Sequence, residues 1–430
     1  METDRRRAAL SFIFVTVVLD MLAFGIIAPV MPRLVSDFLH GDVARASKYM
    51  GLFVTAWALM QFVFSPVLGV LSDRFGRRPV VLLSNFGLGL DYVVMALAPT
   101  IGWLFLGRVL SGITASSIPT ASAYISDVTP PEKRSRAFGI FGAAFGIGFI
   151  LGPALGGWLG AINPRLPFWV AAACSLLNAC YGLFVLPESL PPERRQPRLK
   201  WRHANPVGAL ELLRSHRELF GLALVNFLGY LAHEVYATVF VLYVIFRYAW
   251  DQKTIGMSLA VVGITSVLAS GVLVGPVVKR FGERRSLFLG LCFGTLGFLL
   301  FGWAAAAWLF FAAIPINALW ALASAPSQSL MTQRVSPSEQ GELQGALGSL
   351  RSIAMVIGPG MFSGTFAFFI APGRLVVGAP WYLAALFLIA ALALAWIVVP
   401  RGAAAAGREP AGESAPGLGG GTATAPPASS

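Results

Sequence analysis

Four ionisable residues stand inside long apolar stretches of this 430-residue chain. Asp20 lies in "VVLDMLAF", Asp91 in "FGLGLDYVVMALAP", Arg108 in "FLGRVLSG" and Glu234 in "LAHEVYA". Burial favours the neutral form of a carboxyl group, whereas a nearby arginine favours its anion, so such a carboxyl group can exchange a proton as its surroundings change. These residue types therefore indicate chemistry based on proton uptake and release.

The stretches that carry these charges are long enough to cross a membrane. Of all residues, 56% are hydrophobic and only 12% are charged, which excludes an ordinary soluble domain. A helix of about 20 residues covers the roughly 30 Å of a hydrocarbon core, and the stretches do not alternate as β-barrel strands do. We therefore predict an all-α, polytopic membrane protein with twelve transmembrane helices. They are numbered here as spans 1 to 12: Ala8 to Val30, Met50 to Leu71, Val80 to Ala98, Ile101 to Ile125, Phe138 to Leu159, Phe168 to Leu186, Phe220 to Phe246, Ile255 to Val278, Ser286 to Ala306, Trp308 to Met331, Leu343 to Ile370 and Trp381 to Val399.

The first three charges are predicted to lie at one depth. Asp91 precedes the turn at Pro99 by eight residues, and Arg108 lies a similar distance inside the next span, so each is roughly 12 Å deep. Asp20 lies roughly 13 Å from its end of span 1. Because lipid exposure of a charge is costly, we expect these side chains to share one cavity. A permanent Asp91–Arg108 ion pair that only holds two helices together is the alternative.

The net charge of +12 reflects membrane topology. Most Lys and Arg residues lie in loops on one side, which predicts that both termini are cytoplasmic and that the chain is a multi-pass protein of a bacterial cytoplasmic (inner) membrane. Nucleic acid is therefore not expected as a partner. The three cysteines lie inside spans without paired spacing, so neither disulfides nor a metal site are predicted.

An internal repeat divides the chain. "GVLSDRFGRR" from Gly69 and "GPVVKRFGER" from Gly275 match at an offset of 206 residues, and the offset persists across four spans. Two pseudo-symmetric six-helix bundles follow, an arrangement typical of transporters that rock around a central site, although duplication in a static scaffold would give the same pattern. The predicted domains are residues 1–187 and 217–400, with a cytoplasmic linker at 188–216 and a disordered cytoplasmic tail at 401–430.

Several motifs resemble those of a known family. "GVLSDRFGRRP", "RVLSG" and "GIGFILGPALGG" resemble signatures of the major facilitator superfamily, the last of its drug:proton antiporter branch. "LDYVVMALAP", "FLGRVLSGITAS" and "GELQGALGSL" are similar to tetracycline resistance efflux proteins. The resemblance implies a proton-coupled antiporter that exports amphiphilic drugs, above all tetracycline as its metal chelate, by alternating access. It implies a monomer in a lipid bilayer, driven by a proton gradient without a cofactor, in which a divalent cation enters only as part of the substrate.

The resemblance also assigns residues. Asp20 and Asp91 match the carboxylates of helices 1 and 3 that such exporters need, but the acid expected in span 9 is absent around Gly294, as is a histidine near Ser266. Span 7 offers a replacement, because Asn226, Tyr230, Glu234 and Thr238 are spaced by four and form one polar stripe. Our hypothesis is that Glu234 is the proton site of the second half. The alternative is a structural Glu bonded to His233 or to a neighbouring helix.

Further candidates are weaker individually. A mixed polar and aromatic lining would suit an amphiphilic drug, although each uncharged residue could equally serve helix packing. Arg351 in span 11 is interpreted as a residue whose charged head reaches the interface. The proton-coupling candidates are Asp20, Asp91, Arg108 and Glu234. The substrate-binding candidates are Asp20, Gln61, Asp91, Asn226, Tyr230, His233, Glu234, Asn317, Trp320 and Gln328. The gating candidates are Gly69, Asp73, Arg74, Gly76, Arg77 and Arg78 in one turn, and Gly148, Gly152, Pro153, Gly156 and Gly157 in span 5, interpreted as a seam against the other half.

Other functional classes fit less well. An intramembrane enzyme would need a dense cluster of polar groups in a large loop, and no loop here is rich enough. The phosphate-binding pattern G-x-x-x-x-G-K-[ST] is also absent, so ATP is not the expected energy source. The sequence therefore predicts a secondary transporter rather than an enzyme. Export of other drugs or of a metabolite remains the alternative, with symport disfavoured by the span 5 motif.

Overall fold

The computed structural model describes residues 2–115, 117–191, 193, 195, 213, 217–336, 339–374 and 376–399. Within these residues there is no β-strand, and all twelve predicted spans fall on helices, so the predicted fold class is confirmed. Spans 1 to 6 correspond to Glu2–Ile27, Val43–Phe75, Arg77–Leu97, Ile101–Thr114 with Ser117–Val128, Pro131–Ile162, and Leu166–Val185. Spans 7 to 12 correspond to Arg217–Thr238 with Phe240–Tyr248, Gln252–Leu268 with a π turn at Ala269–Leu273, Val274–Trp303, Ala307–Ala318 with Ala321–Thr332, Gln340–Phe369, and Ala379–Val398.

Ten of the described helices are long and apolar enough to cross a membrane. Span 4 is not among them, because a break after Thr114 divides it into shorter helices. Spans 8 and 9 count as one segment, Gln252–Trp303, whose backbone is non-helical at Gly282. The ten segments therefore cover eleven of the predicted spans, and the shorter helices of span 4 supply the twelfth. The predicted tail and most of the predicted linker lie outside the described residues, and the domain limits stay predictions.

The internal repeat is visible in the backbone. Gly76 ends span 2 with a φ of 108°, and its repeat partner Gly282 has a φ of 79°. Only glycine enters this left-handed region without steric cost, which explains why both copies of the turn keep it. The mid-helix breaks also match, since span 4 is interrupted at Ala115 and span 10 at Leu319 and Trp320.

The two halves form separate bundles with two lines of contact between them. Within the first half, span 1 packs on spans 5 and 6, span 2 on span 4, and span 3 on spans 4 and 6. In the second half, span 7 packs on spans 11 and 12, and span 9 on spans 10 and 12. Aromatic rings around the buried Trp381 form much of the second core. Spans 5 and 8 and spans 2 and 11 connect the bundles.

These contacts lie at one end of the molecule. The end that carries the turn around Gly76 is called here the basic end. At the other end, a Cβ on Gly157 of span 5 would lie 2.8 Å from the Cα of Gly256 in span 8. Nearer the middle, a Cβ on Gly146 would still lie 3.4 Å from Val267. One turn closer to the basic end, a Cβ on Gly142 or on Gly271 would meet no atom within 4 Å.

Spans 2 and 11 diverge in the same direction. Ser47 donates from its hydroxyl group to the carbonyl of Ser363 at 3.1 Å, and Thr55 donates to the carbonyl of Val356 at 3.2 Å, both far from the basic end. A Cβ on Gly348, further along span 11, would meet nothing within 4 Å. Both pairs of spans therefore touch at the end opposite the basic end and separate toward it. The interior between the bundles opens at the basic end.

Candidate functional site

Asp91 and Arg108 form a buried ion pair between spans 3 and 4. The Nη2 of Arg108 lies 3.3 Å from Oδ2 of Asp91 and 3.5 Å from Sδ of Met95. The side chain of Asp91 has no exposed surface, and that of Arg108 is 12% exposed. Gly107 makes room for the carboxylate, because a Cβ there would lie 2.6 Å from Oδ1 of Asp91. The structure thus brings these two residues together at the common depth expected from their spacing.

Asp20 belongs to the same region of the first half. It is 5% exposed on span 1. Asp91 and Arg108 are in contact, whereas the position of Asp20 at the same level stays a prediction.

Glu234 lies at the contact between spans 7 and 11. Its residue exposure is 8%, and a Cβ on Gly358 would lie 2.6 Å from both Cβ and Cγ of Glu234. In the part of the chain that the structure describes, its carboxyl group forms no hydrogen bond with His233 and no ion pair. Arg351 lies two turns before Gly358 on the same face of span 11. The arrangement does not contain the bond to His233 that a purely structural glutamate would make.

An aromatic surface lies beside Glu234. His233 is exposed, and its ring centroid lies 5.7 Å from Tyr236 and 6.1 Å from Trp320. Trp320 stands at the break in span 10 and packs against Gly294, where a Cβ would come within 2.7 Å of its ring. The position where the resemblance leads one to expect an acid is therefore filled by an indole ring. Tyr230 lies one turn from Glu234 and is half-buried.

Four uncharged substrate-binding candidates form hydrogen bonds within the protein, namely the two asparagines described here and the two glutamines described next. Asn317 accepts a hydrogen bond from Tyr236 and donates to the carbonyl of Gly294 at 3.2 Å. Asn226 donates to Ser327 at 2.8 Å. Such bonds indicate helix packing.

The two glutamines differ in what they bond. Gln61 donates to the carbonyl of Ala115 at 3.3 Å, which satisfies an acceptor left by the break in span 4. Gln328 is exposed and donates to Gln344 at 3.3 Å. Of these four candidates, only Gln328 has an exposed side chain.

Arg351 is a functional candidate that the sequence interpretation undervalued. It stands in the middle of span 11, eleven residues after Gln340, and it is exposed. It lies two turns before Gly358, which packs on Glu234. The face of span 11 that carries both residues is therefore directed at the polar stripe of span 7. The available signal was its charge inside an apolar run, which also singled out Arg108.

The turn at the basic end is held by a charged network within the first half. Arg77 pairs with Asp73 in the same turn and with Asp127 at the end of span 4, where Nε and Oδ2 are 3.2 Å apart. Its backbone N–H donates to Glu188 at the end of span 6 at 2.8 Å. Gly76 contacts the same Glu188 carboxylate so closely that a Cβ would lie 2.1 Å from it. Asp127 and Glu188 were missed because they are distant in sequence from the turn.

The other gating candidates of this turn have separate environments. Arg78 donates to the carbonyl of Leu183 at 2.6 Å. Arg74 is exposed and lies over the ring of Phe75 at 5.2 Å. A Cβ on Gly69 would meet no atom within 4 Å. The contacts that the structure describes for these arginines are thus within their own half.

The glycines of span 5 have two different neighbours. Gly148, Gly152 and Gly156 pack against span 1, where a Cβ on each would come within 2.9 Å of Met21, Gly25 and Ile26, respectively. The interpretation of these three as a seam against the other half is therefore corrected, because they face their own bundle. Gly157 does face span 8, and the carbonyl of Pro153 lies close to Gly256 there. Only this side of the helix forms the seam between the halves.

Comparison with known proteins agrees with this architecture. The family description "Major Facilitator Superfamily" matches residues 13–359. The chain is 39% identical over 359 residues to the tetracycline resistance protein, class C, of Escherichia coli. The aligned region covers 84% of this chain and 90% of the relative. The chain is 38% identical to the class E protein of Escherichia coli, covering 81% and 85% of the two chains.

A solved structure shares the fold. The crystal structure of a D-xylose-proton symporter aligns with a TM-score of 0.73 at 17% identity, covering 91% of this chain and 98% of the other. The repeated turn, the paired bundles and the sequence match over most of the length lead to one assignment. This chain belongs to the major facilitator superfamily.

Proposed function

We propose that the protein is a secondary transporter that exports tetracycline, as its metal chelate, in exchange for protons. The observation that carries this proposal is the buried Asp91–Arg108 pair in a chain 39% identical to a tetracycline resistance protein. A carboxylate buried with one arginine can lose its ionic partner or gain a proton when a ligand enters, and this exchange couples cargo to protons. The family carries small molecules, so the protein is a transporter rather than an enzyme.

The structure supports a cycle of alternating access. The halves touch at the end opposite the basic end and separate toward it, so the described arrangement admits a ligand from the basic end. A second arrangement would close the basic end and open the other, with the site near the middle. Each proton that moves across 100 mV supplies roughly 2.3 kcal/mol, enough for more than a tenfold drug gradient.

We further infer the orientation and the setting. The excess of arginine at the basic end supports a bacterial inner membrane in which this end and both termini are cytoplasmic. The drug then enters from the cytoplasm, as export requires. The bundles complete the described site within one chain, which supports a monomer surrounded by lipid. No cofactor is needed, since the proton gradient is the energy source and a divalent cation travels only with the substrate.

The test uses everted membrane vesicles with an imposed pH gradient. Wild-type protein is expected to accumulate tetracycline with magnesium when the lumen is acidic, and to stop when the gradient is collapsed. Asp91→Asn is expected to lower gradient-driven uptake at least about a hundredfold, because the carboxyl group can no longer exchange a proton. A panel of other drugs tests the alternative that a different compound is exported.

The outcomes separate the alternatives. Uptake by Asp91→Asn at the wild-type rate would show that the ion pair only holds spans 3 and 4 together. Accumulation of another drug but not tetracycline would replace the substrate and keep the mechanism. Uptake that does not respond to the gradient would end the antiport proposal.

A further inference from the structure

Arg351 presents a positive charge to the interior of the second half. It lies eleven residues into the helix Gln340–Phe369, or roughly 16 Å from its start. Its side chain is exposed at this depth. An arginine within a membrane span is directed to the bundle interior or to a wet cavity, because lipid exposure is costly. The neighbouring Gly348 borders open space at the basic end, which makes the interior accessible to a ligand.

The face of span 11 that carries Arg351 is directed at span 7. Gly358, two turns further along the same face, packs on Glu234. Spans 7 and 11 pack on each other and both begin at the basic end, so Arg351 lies on the side of Glu234 that carries Tyr230. Within the described ranges of the chain, no carboxylate forms an ion pair with Arg351, whereas Arg108 has Asp91. The guanidinium group therefore faces the cavity without the fixed partner that its counterpart has.

Aromatic rings cluster around His233 on span 7, the span that this face of span 11 packs on. The exposed ring of His233 is 6.1 Å from Trp320 and 5.7 Å from Tyr236, and Trp320 also borders Gly229 on span 7. A planar guanidinium group binds paired oxygen atoms well, and aromatic rings bind a flat ligand body. A cation and rings on one wall of a cavity suit a planar polycyclic molecule that bears an ionised oxygen.

We propose that Arg351, assisted by Tyr230 and His233, forms an anion subsite that binds a deprotonated enol or carboxylate group of a planar polycyclic substrate. Trp320 contacts the ring system of that substrate. This inference rests on the proposed export function and names the part of the cargo that the second half recognises. The metal-binding part of a chelated substrate is left to the carboxylates of the first half.

A simpler role for Arg351 would be to neutralise Glu234. The two roles differ when Glu234 is removed. If Arg351 serves only Glu234, its replacement has no effect in a Glu234→Gln background. If Arg351 binds the ligand, its replacement weakens binding in both backgrounds.

The experiment measures equilibrium binding to the purified full-length protein in detergent. Two probes are used, labelled tetracycline with magnesium and fluorescein, a planar polycyclic anion that does not depend on tetracycline being the cargo. Arg351→Gln is expected to weaken binding of both about tenfold, with and without Glu234→Gln, and Arg351→Lys is expected to restore part of the loss. Ethidium, a planar cation, is expected to bind to Arg351→Gln at least as well as to wild type.

Arg280→Gln is the matched control, since Arg280 is an exposed arginine of the basic end that lies over Phe281. It should leave all three affinities unchanged, and each variant is first checked for a single peak in size exclusion. A loss confined to the background with Glu234, or an equal loss for ethidium, would overturn the subsite. Failure of wild type to bind tetracycline while fluorescein binding depends on Arg351 would overturn the proposed substrate and keep the subsite.

Discussion

The two halves of the molecule carry their membrane-embedded charges in opposite ways. In the first half, the fully buried Asp91 is in contact at 3.3 Å with Arg108, which is 12% exposed. In the second half, Glu234 is buried and forms no ion pair within the described residues, and Arg351 is exposed. A ligand can separate two side chains that form an ion pair. Two side chains that are not paired can each bind a group of the ligand directly. We therefore expect the ion pair of the first half to be opened by protonation or by cargo, and Arg351 of the second half to bind cargo directly.

Matched glycines show how the halves came to differ. Gly152 and Gly358 occupy equivalent positions at the offset of 206 residues. Gly152 contacts Gly25 on span 1, backbone against backbone, whereas Gly358 contacts the side chain of Glu234 on span 7. The contact between spans 1 and 5 is thus formed by backbone atoms alone at this point. The equivalent contact between spans 7 and 11 includes the side chain of a glutamate.

The largest expected effect compares the two arginines. Arg108→Gln leaves the buried Asp91 without its partner, and breaking one side of a buried pair costs about 3–5 kcal/mol. Arg351→Gln removes an exposed charge that has no ion pair, so the protein should unfold at nearly the wild-type temperature. Thermal unfolding of both purified variants in detergent measures the difference.

A double variant completes this test. Arg108→Gln combined with Asp91→Asn removes both charges and should recover most of the stability, but not the proton-driven uptake. Equal loss of stability for Arg108→Gln and Arg351→Gln would show that the contrast between the halves is wrong.

A smaller effect is expected where Gly358 contacts Glu234. In Gly358→Ala the added Cβ would lie 2.6 Å from two carbon atoms of the Glu234 side chain, and overpacking of this kind costs about 1–3 kcal/mol. Gly348→Ala in the same helix meets nothing within 4 Å and serves as the control. Melting temperature and tetracycline uptake should fall for the first variant only. Equal melting of the two variants would mean that spans 7 and 11 are not packed as described.

The first half offers the parallel variant Gly107→Ala. Its Cβ would lie 2.6 Å from Oδ1 of Asp91. Here the contact is with the reactive end of the carboxyl group, so the change should alter the pH profile of uptake more than it alters stability. Gly102→Ala is the control, since its nearest neighbour would be 3.8 Å away. Identical pH profiles for Gly107→Ala and wild type would contradict a role for Asp91 in proton exchange.

Short-range features of the site could be predicted from the sequence, and long-range ones could not. Asp91 and Arg108 are joined by a short turn between antiparallel helices, so counting residues at 1.5 Å each was enough to predict that they meet. Arg351 and Glu234 are 117 residues apart in sequence, and no helical period relates one span to another. Hydrophobic pattern also cannot distinguish a cavity face from a face that packs on a neighbour, which is why Asn226 and Asn317 looked like ligand contacts.

Glycine motifs show the same limit. The repeat and the positive φ at Gly76 and Gly282 follow from the sequence, because few other residues tolerate that conformation. The partner of a packed glycine does not follow, since close approach is possible on any side of a helix. The glycine motif of span 5 was therefore recognised correctly, but its predicted packing partner was wrong, because Gly152 faces span 1 rather than the second half.

The smallest expected effect concerns the helix N-caps, whose contribution to stability should be the same in the two halves. Span 2 begins after Asp42 and span 8 after Asp251, and each carboxylate accepts a backbone hydrogen bond at 2.9 Å, from Arg45 and Thr254 respectively. Replacing either aspartate by alanine should lower stability by about 0.5–1 kcal/mol, whereas asparagine should keep the hydrogen bond and lose only the smaller contribution of the negative charge. Unlike the charges inside the membrane, these caps should give matching shifts in melting temperature.

The pH dependence of the second cap can be predicted as well. Hydrogen bonds from Thr254 lower the pKa of Asp251 below its ordinary value of 3.8. Its stabilising contribution is therefore complete above that value and is lost as pH falls through the lower pKa of the folded state. The melting temperatures of wild type and Asp251→Asn are compared from neutral pH downward. Wild type should melt at the higher temperature, and the difference should vanish only in strong acid. A difference that disappears already near pH 5 would show that the carboxylate is not held by Thr254, and the equivalence of the two caps would fail with it.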